Sequence, residues 1–342
     1  MSAVAATIAI LADDIARLTS SLGQTVIVDR GRVADRRGDL DLKAPGIWSP
    51  NRSCRLVQTA DGWIAVNLPR ETDLWSIPAW IGCDIDADPW RAVVRQARHA
   101  ATRPLMARAR LLGLPVACVG EIVSPAPAAP LRRMASGVRR AGSRLTVLDL
   151  SSLWAGPLCG DILARMGAEV TKIESHGRPD AARAGSPAFY ARLNDLKNHL
   201  ALDFADPGDI AKLRAMMAAA DVVITNARPR AFEQLGLSPA ALFTINPGLT
   251  WVAITGYGWT GAGGGRVAFG DDAAAAGGLV RWSANNQPRF LGDALADPVT
   301  GLAAAVGALK AVARGGGLLV DAALARTAAG AAAAGRAAVA SR

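Results

Sequence analysis

The stretch from Leu145 to Glu174, LTVLDLSSLWAGPLCGDILARMGAEVTKIE, constrains the fold more than any other part of the chain. It reads as strand, tight turn, helix, strand. Val147, Leu148, Leu150 and Leu153 form an apolar run of the kind found in a parallel strand covered on both faces. Ala155-Gly156-Pro157 follows; glycine permits close approach to the backbone, and proline suits a first helical turn. Leu158, Ile162 and Met166 recur at helical spacing, Gly167 suits a left-handed cap, and Glu169–Glu174 reads as the next strand. Such a unit builds an open α/β sheet. It sets a helix N-terminus, with its dipole and free N–H groups, at the carboxyl end of a strand, where anionic ligands bind. The turn is not a G-x-G-x-x-G fingerprint, so spacing alone leaves nucleotide binding and purely structural use of the turn both open.

The same alternation continues downstream. Leu200–Phe204, Asp221–Asn226 and Thr250–Thr255 read as strands, and 207–220, 238–243 and 298–313 as helices, Ser238 capping the second of these with Pro239 at its first position. Right-handed crossovers then give a mostly parallel, Rossmann-like sheet with flanking helices. Upstream the pattern differs. Residues 3–20 carry Ile8, Ile10, Leu11, Ile15 and Leu18 at helical spacing. Cys54–Thr59 and Ala60–Leu68 form a hairpin signal around Asp61-Gly62, a favoured type I′ pair. Helices are expected over 74–82 and 88–113, and a short strand over 115–120. The expected organisation is a small α+β domain at 1–122, a Pro/Ala and basic linker at 123–144, a Rossmann-like domain at 145–325 and a low-complexity, frayed tail at 326–342.

Composition narrows the function. The 342 residues suit about two domains on a rough prior of ~150 residues each, and 51% are hydrophobic, enough for a sizeable core. No uninterrupted apolar segment of transmembrane length is read, and residues 3–12 lack a basic leader and are followed by Asp13 and Asp14, so a cytoplasmic protein without a membrane partner is expected. Cys54, Cys83, Cys118 and Cys159 are far apart without a histidine at ligand spacing, which points to reduced thiols and no metal site. The net charge of +9 fits a small phosphorylated ligand as well as nucleic acid. Basic residues are scattered and aromatics few, so nucleic acid is not an expected partner.

Five segments in order resemble the class III CoA-transferase family, which includes formyl-CoA, carnitine and bile-acid CoA-transferases and the 2-methylacyl-CoA racemases. They are residues 147–174, Asn194–Pro207, Asp221–Leu237, Asn246–Gly258 and Ala296–Val312, so the likeness covers about 145–325. The resemblance implies that Asp297, followed by Thr300 and Gly301, is a nucleophile. A carboxylate can attack an acyl-CoA thioester and pass through a mixed anhydride and an aspartyl-CoA thioester, with no metal or tightly bound cofactor. The local alternative is that Asp297 merely caps the helix that begins at Pro298. The resemblance further places CoA contacts at Trp154, Ala155, Ser175, Leu202, Asp203, Phe204, Ala205, Asn226, Ala227 and Arg228. Lys197 would add positive potential, and Arg266 and Phe269 precede the substrate-side helix. Arg228 is a phosphate partner by this reading, or else a solvated loop charge.

The implied activity is CoA transfer from an acyl-CoA to a carboxylic acid, by a homodimer that in relatives is interlocked. Alternatives are an acyl-CoA racemase, epimerase or dehydratase on the same scaffold, or a non-catalytic CoA-binding subunit. Racemases of the family carry a histidine in a GHD-like element; the matching place here is Gly270-Asp271-Asp272, without an imidazole, and either aspartate is readable as a helix cap. The glycine-rich stretch Gly261–Gly265 falls outside the family's pattern. The order of segments also departs from that pattern. Cys54–Val66, which resembles the family's small domain, comes first here, as in a permuted member or in a part of a longer family arrangement.

Overall fold

The structure, a computed structural model, describes residues 3–123, 129–138 and 144–340, the last five of these by backbone alone. In chain order the first elements are α1 (Ala3–Leu22), β1 (Cys54–Gln58), β2 (Trp63–Asn67), α2 (Glu71–Trp75), α3 (Ile77–Ile81), α4 (Pro89–Ala97), α5 (Thr102–Leu111), β3 (Val116–Cys118) and β4 (Leu131–Arg133). The alternating part follows as β5 (Thr146–Leu150), α6 (Ala155–Arg165), β6 (Glu169–Ser175), α7 (Ala181–Gly185), α8 (Pro187–Asn194), β7 (Asn198–Leu202), α9 (Pro207–Ala219), β8 (Val222–Thr225), α10 (Pro229–Gln234), α11 (Pro239–Ile245) and β9 (Thr250–Thr255). The chain closes with α12 (Gly270–Ala276), β10 (Val280–Trp282), β11 (Pro288–Phe290), α13 (Ala296–Ala313), β12 (Leu318–Ala323) and α14 (Leu324–Ala340).

Seven strands form the main sheet in the order β4-β12-β9-β8-β5-β6-β7. Every pairing in it is parallel except that of β4 with β12. This is the expected α/β class with a mostly parallel sheet. From β5 the chain steps outward to β6 and β7, then returns to the other side of β5 with β8 and continues to β9 and β12. The order therefore reverses between β5 and β8, and in open α/β sheets the ligand crevice lies at the carboxyl ends of the strands at such a reversal. A separate antiparallel sheet, β1-β2-β3, packs with α3, α4 and α5 around Trp80, Ile64 and Leu105.

Helix α13 runs through the largest core cluster, its alanines and glycines almost all buried. Small residues let it lie close to α6 and to β12: a methyl group at Gly301 would sit 2.7 Å from the Ala155 carbonyl oxygen, and one at Gly307 would sit 2.5 Å from a Val320 methyl. That approach sets the start of α13 against the turn after β5. By length and composition α13 would also reach across a bilayer, but it is buried inside the protein.

Several expectations change. Helix α1 does not belong with residues up to 122; Val4, Ile8, Ile15 and Leu18 bury in the main core, where α1 lies on α13 and α14. The tail is not frayed over its described length. Helix α14 continues to Ala340, with Ala325, Thr327, Ala328 and Ala331 buried. Within the expected linker, residues 124–128 and 139–143 lie outside the described residues, while Leu131–Arg133 forms the edge strand β4. The hairpin turn is shifted by one residue. Thr59 N–H bonds the Gly62 carbonyl at 2.9 Å, so Ala60 and Asp61 form the turn. The Asp61 carboxylate accepts from the Thr102 N–H at 2.8 Å, which ties the turn to α5 and removes the need for an I′ geometry. The helix expected over 88–113 is two, α4 and α5, separated at 98–101.

Candidate active site

A cavity of about 560 Å³ opens at the carboxyl ends of β5, β6, β8 and β9. Its floor is the turn after β5. Leu153 there has φ 71, a left-handed conformation unusual for a residue with a branched side chain and costing on the order of 1–3 kcal/mol. Asp180 holds it, accepting the Leu153 N–H with both carboxylate oxygens at 3.1 Å. Lys172, fully buried, pairs with Asp180 at 3.0 Å and donates to the Ser151 carbonyl. A second buried pair, Lys197 with Asp149 at 2.8 Å, braces the start of α6; Lys197 also donates to the Pro157 carbonyl and to Asn194 at 2.9 Å. These bonds occupy Lys197, which therefore supplies no free positive potential to the cavity.

Asp297 lines this cavity. The expected capping role does not apply, because α13 starts at Ala296 and its N-cap is Leu295. Asp297 is thus inside the first turn, where a carboxylate gains from the helix dipole. Its backbone N–H bonds the Ala294 carbonyl at 2.9 Å, and among the described residues no hydrogen bond or ion pair engages its carboxylate. Gly270, the first residue of α12, presses on it. A methyl group there would sit 2.2 Å from Asp297 Oδ2 and 2.6 Å from the Ala294 carbonyl oxygen. Ala294 itself is left-handed, with φ 44.

Four carboxylates gather here. Asp271 accepts from Ala294 N–H at 2.8 Å and from Asn51 at 2.9 Å. Asp272 reaches back to the Phe269 N–H at 2.9 Å, so it is the helix cap that the sequence allowed, and it also accepts from Asn67 at 2.9 Å. Asp293 accepts from Arg36 at 2.7 Å and from Asn51 at 3.2 Å. Burial pushes the Asp297 carboxyl up to about 7; Arg36 pulls it down, and Asp271, Asp293 and Asp272 push it further up. Burial likewise lifts Asp272 to about 7 against the pull of Asn67, and lifts Asp271 to about 6 with help from Asp293.

The structure brings most of the expected site residues together. Ala155, Ser175, Phe204, Asn226, Ala227, Arg228, Arg266 and Phe269 all line the same cavity as Asp297. Four do not line it. The Trp154 ring is buried edge-on to Phe189 at 5.2 Å and borders a second cavity of about 340 Å³. Leu202 ends β7 inside the core, and Asp203 and Ala205 are exposed in the turn after it, where the Asp203 carboxylate accepts the Ala205 N–H at 2.9 Å. Arg266 is committed to Glu121 at 2.6 Å and stacks on Tyr257 at 3.4 Å.

Sequence reasoning missed Arg70 and Arg178, which also line the cavity, and Gly264 of the glycine stretch. Arg70 comes from the turn after β2, is oriented by Asp73 at 3.0 Å, and stands 5.6 Å over the Phe269 ring. Nothing in a single sequence separates these two arginines from the other basic residues. Apolar Ile173, Phe204, Leu213 and Phe232 line one region of the wall, and exposed Arg178 and Arg228 lie at its rim. Such a wall suits a ligand with a flat ring and phosphates.

Comparison with known proteins agrees with this geometry. The model of CoA-transferase family III matches residues 143–338, more than half of the chain. The succinyl-CoA–D-citramalate CoA-transferase of Chloroflexus aurantiacus is 32% identical over 175 residues, covering 48% of this chain and 44% of that one. The human succinyl-CoA:glutarate CoA-transferase is 31% identical over 188 residues, covering 51% and 43%. The chain thus spans about half the length of the curated relatives it matches. Among solved structures, a hypothetical protein from Mycobacterium tuberculosis aligns with TM-score 0.52 and 28% identity, covering 58% of each chain. A CaiB/BaiF family protein from Brucella suis aligns with TM-score 0.50 and 30% identity, covering 54% and 53%. By its sequence match over more than half of its length, and with a fold similar to that of a CaiB/BaiF family protein, this chain belongs to CoA-transferase family III.

Proposed function

We propose that this chain moves CoA from an acyl-CoA thioester to a carboxylic acid, with Asp297 as the nucleophile. The observation that carries the reading is the carboxylate itself, at a helix N-terminus on the cavity wall and engaged by no hydrogen bond or ion pair among the described residues. The ionised Asp297 oxygen attacks the thioester carbonyl; the carbon–sulfur bond breaks, leaving a mixed anhydride and CoA thiolate. The thiolate then attacks the aspartyl carbonyl, forming an aspartyl-CoA thioester and releasing the first acid as its carboxylate. The acceptor carboxylate reverses these steps and regenerates Asp297. No redox partner or metal enters the balance.

The apolar wall around Phe204 and Phe232 receives the adenine ring, and Arg178 and Arg228 receive phosphates. Arg70, beside Phe269, offers a cation to a carboxylate near the reacting centre. The Chloroflexus aurantiacus and human relatives are named for succinyl-CoA with D-citramalate and with glutarate, so succinyl-CoA is the first donor to try. The reading takes acyl-CoA and a carboxylic acid as the small-molecule partners and, from the family resemblance, a second copy of this chain. Sedimentation equilibrium tests that last point. Racemisation is the weaker reading. Asp271 stands where the racemase element has histidine, and none of His99, His176 and His199 lines the cavity. The test is transfer from succinyl-CoA to a panel of carboxylates by the wild type and by Asp297→Asn. Loss of transfer in a folded variant supports the reading; retained transfer refutes it.

A further inference from the structure

Residues 29–53 lie outside the region matched by the family model, yet two of their side chains end in the turn that carries Asp297. Arg36 pairs with Asp293 through both its Nε and a terminal nitrogen, each at 2.7 Å. Its guanidinium lies over the Trp154 ring at 4.4 Å and the Phe189 ring at 5.1 Å. Asn51 bridges Asp271 and Asp293 with one amide nitrogen, at 2.9 and 3.2 Å, while its carbonyl oxygen accepts from Ser49, from the Ser53 hydroxyl and from the Ser53 N–H. Asp271 in turn holds Ala294 in its left-handed conformation, and the Ala294 carbonyl accepts the Asp297 N–H. The chain of bonds runs unbroken from the N-terminal segment to the backbone of the nucleophile.

We propose that residues 29–53 form a clamp on the catalytic turn, in which Asn51 fixes the backbone that presents Asp297 and Arg36 is the positioning residue that holds Asp293 and brings a positive charge to the turn. The proposal rests on Asp297 being the nucleophile, but its electrostatic content holds for the carboxylate whatever the reaction. The charged groups around Asp297 are few. Asp271 and Asp272 come from α12, Asp293 from the turn before α13, and Arg36 from the clamp; Arg70 and Arg266 share the cavity. Arg36 is the cation that holds Asp297 down against three anions and burial. Its aromatic neighbours and its two contacts with one Asp293 oxygen hold it in place, so the clamp positions the charge as well as the turn.

The experiment is a pH titration of the full chain with carbon-13 in its aspartate carboxyls, followed by NMR. Asp297→Asn assigns the resonance. Arg36→Gln is expected to raise the Asp297 midpoint by about one pH unit, the scale of losing a nearby opposite charge. Arg36→Lys, which keeps the charge, is expected to stay closer to wild type. Asp293→Asn removes an anion and should lower the midpoint, which gives a reading should Arg36→Gln fail to fold. An unmoved midpoint in a folded Arg36→Gln or Asp293→Asn chain overturns the inference. In parallel, aspartyl hydroxamate is trapped with succinyl-CoA and hydroxylamine well above the Asp297 midpoint. There Asn51→Ala should form the adduct more slowly than wild type, and an equal rate contradicts the fixing role. If wild type forms no adduct while the midpoints move as described, the transferase reading fails and the electrostatic part of the clamp stands.

Discussion

Among the described residues nothing hydrogen-bonds the Asp297 carboxylate, because α13 starts one residue before it and Leu295 takes the cap position. Gly270 then limits where that carboxylate can go. Gly270→Ala would drive a methyl group into Asp297 Oδ2 and the Ala294 carbonyl, so it should cost about 1–3 kcal/mol of stability and, by displacing the proposed nucleophile, about 100-fold in kcat. Denaturant unfolding and steady-state kinetics measure the two effects separately. Arg228→Ala should act differently. It removes a charged hydrogen-bond donor worth about 1.5–3 kcal/mol, so the KM for acyl-CoA should rise roughly 10-fold or more with little change in kcat. Asp297 was readable from sequence as the candidate nucleophile because a motif of fixed spacing carries it, and the fold sets it on the cavity wall. Asp203 and Ala205 do not line the cavity because β7 ends at Leu202 and, in the turn after it, Phe204 faces the cavity while its two neighbours are exposed. Arg36 and Asn51 have no local signal at all, since what matters is their distance from Asp293 and Asp271 across the fold.

The turn after β5 depends on its buried ion pair. Lys172 and Asp180 are both buried, and between them they bond the Ser151 carbonyl and the Leu153 N–H. Lys172→Met leaves Asp180 without its cation and should destabilise the fold by about 3–5 kcal/mol, read from urea unfolding. It should also release Leu153 from its left-handed conformation and weaken CoA binding. Elements of this kind divide cleanly into those the sequence announces and those it hides. Buried parallel strands such as β8 and β9 announce themselves as unbroken apolar runs with turn residues at each end. The Ala- and Gly-rich α14 reads as low complexity, because alanine carries no pattern of its own. In the fold the same small side chains let α14 lie close to α1, α12 and α13, and alanine's high helix propensity does the rest. The short β4 was hidden for another reason: it pairs only at the sheet edge, with β12, and partnership there is set by the fold rather than by its three residues.

At the scale of the whole molecule, the family core is completed by segments outside the family match. Helix α1 covers α13 and α14, so Ile15→Ala, at a fully buried position, should cost about 2–5 kcal/mol. The carboxylate cluster sets a pH dependence. Asp271, Asp272 and Asp297 hold their protons up to about 6, 7 and 7 in the folded chain, against roughly 4 when unfolded. Between those values the native state binds more protons, so stability falls as pH rises through the window and levels off above it. Asp149 does not oppose this. Burial works to raise it, but Lys197 and Lys172 bring it below the ordinary carboxylate value, so it titrates beneath the window. Tm should therefore decline from about pH 5 to about pH 7, and Asp272→Asn should flatten the decline; a Tm rising over that range would contradict the assignment. The central claim is that Asp297 becomes covalently acylated. The most direct measurement is mass spectrometry of the Asp297 peptide after the full chain meets succinyl-CoA and hydroxylamine. The account expects an aspartyl hydroxamate at Asp297, absent when either reagent is omitted. CoA transfer proceeding with Asp297 unmodified, or with the adduct on another residue, would contradict it.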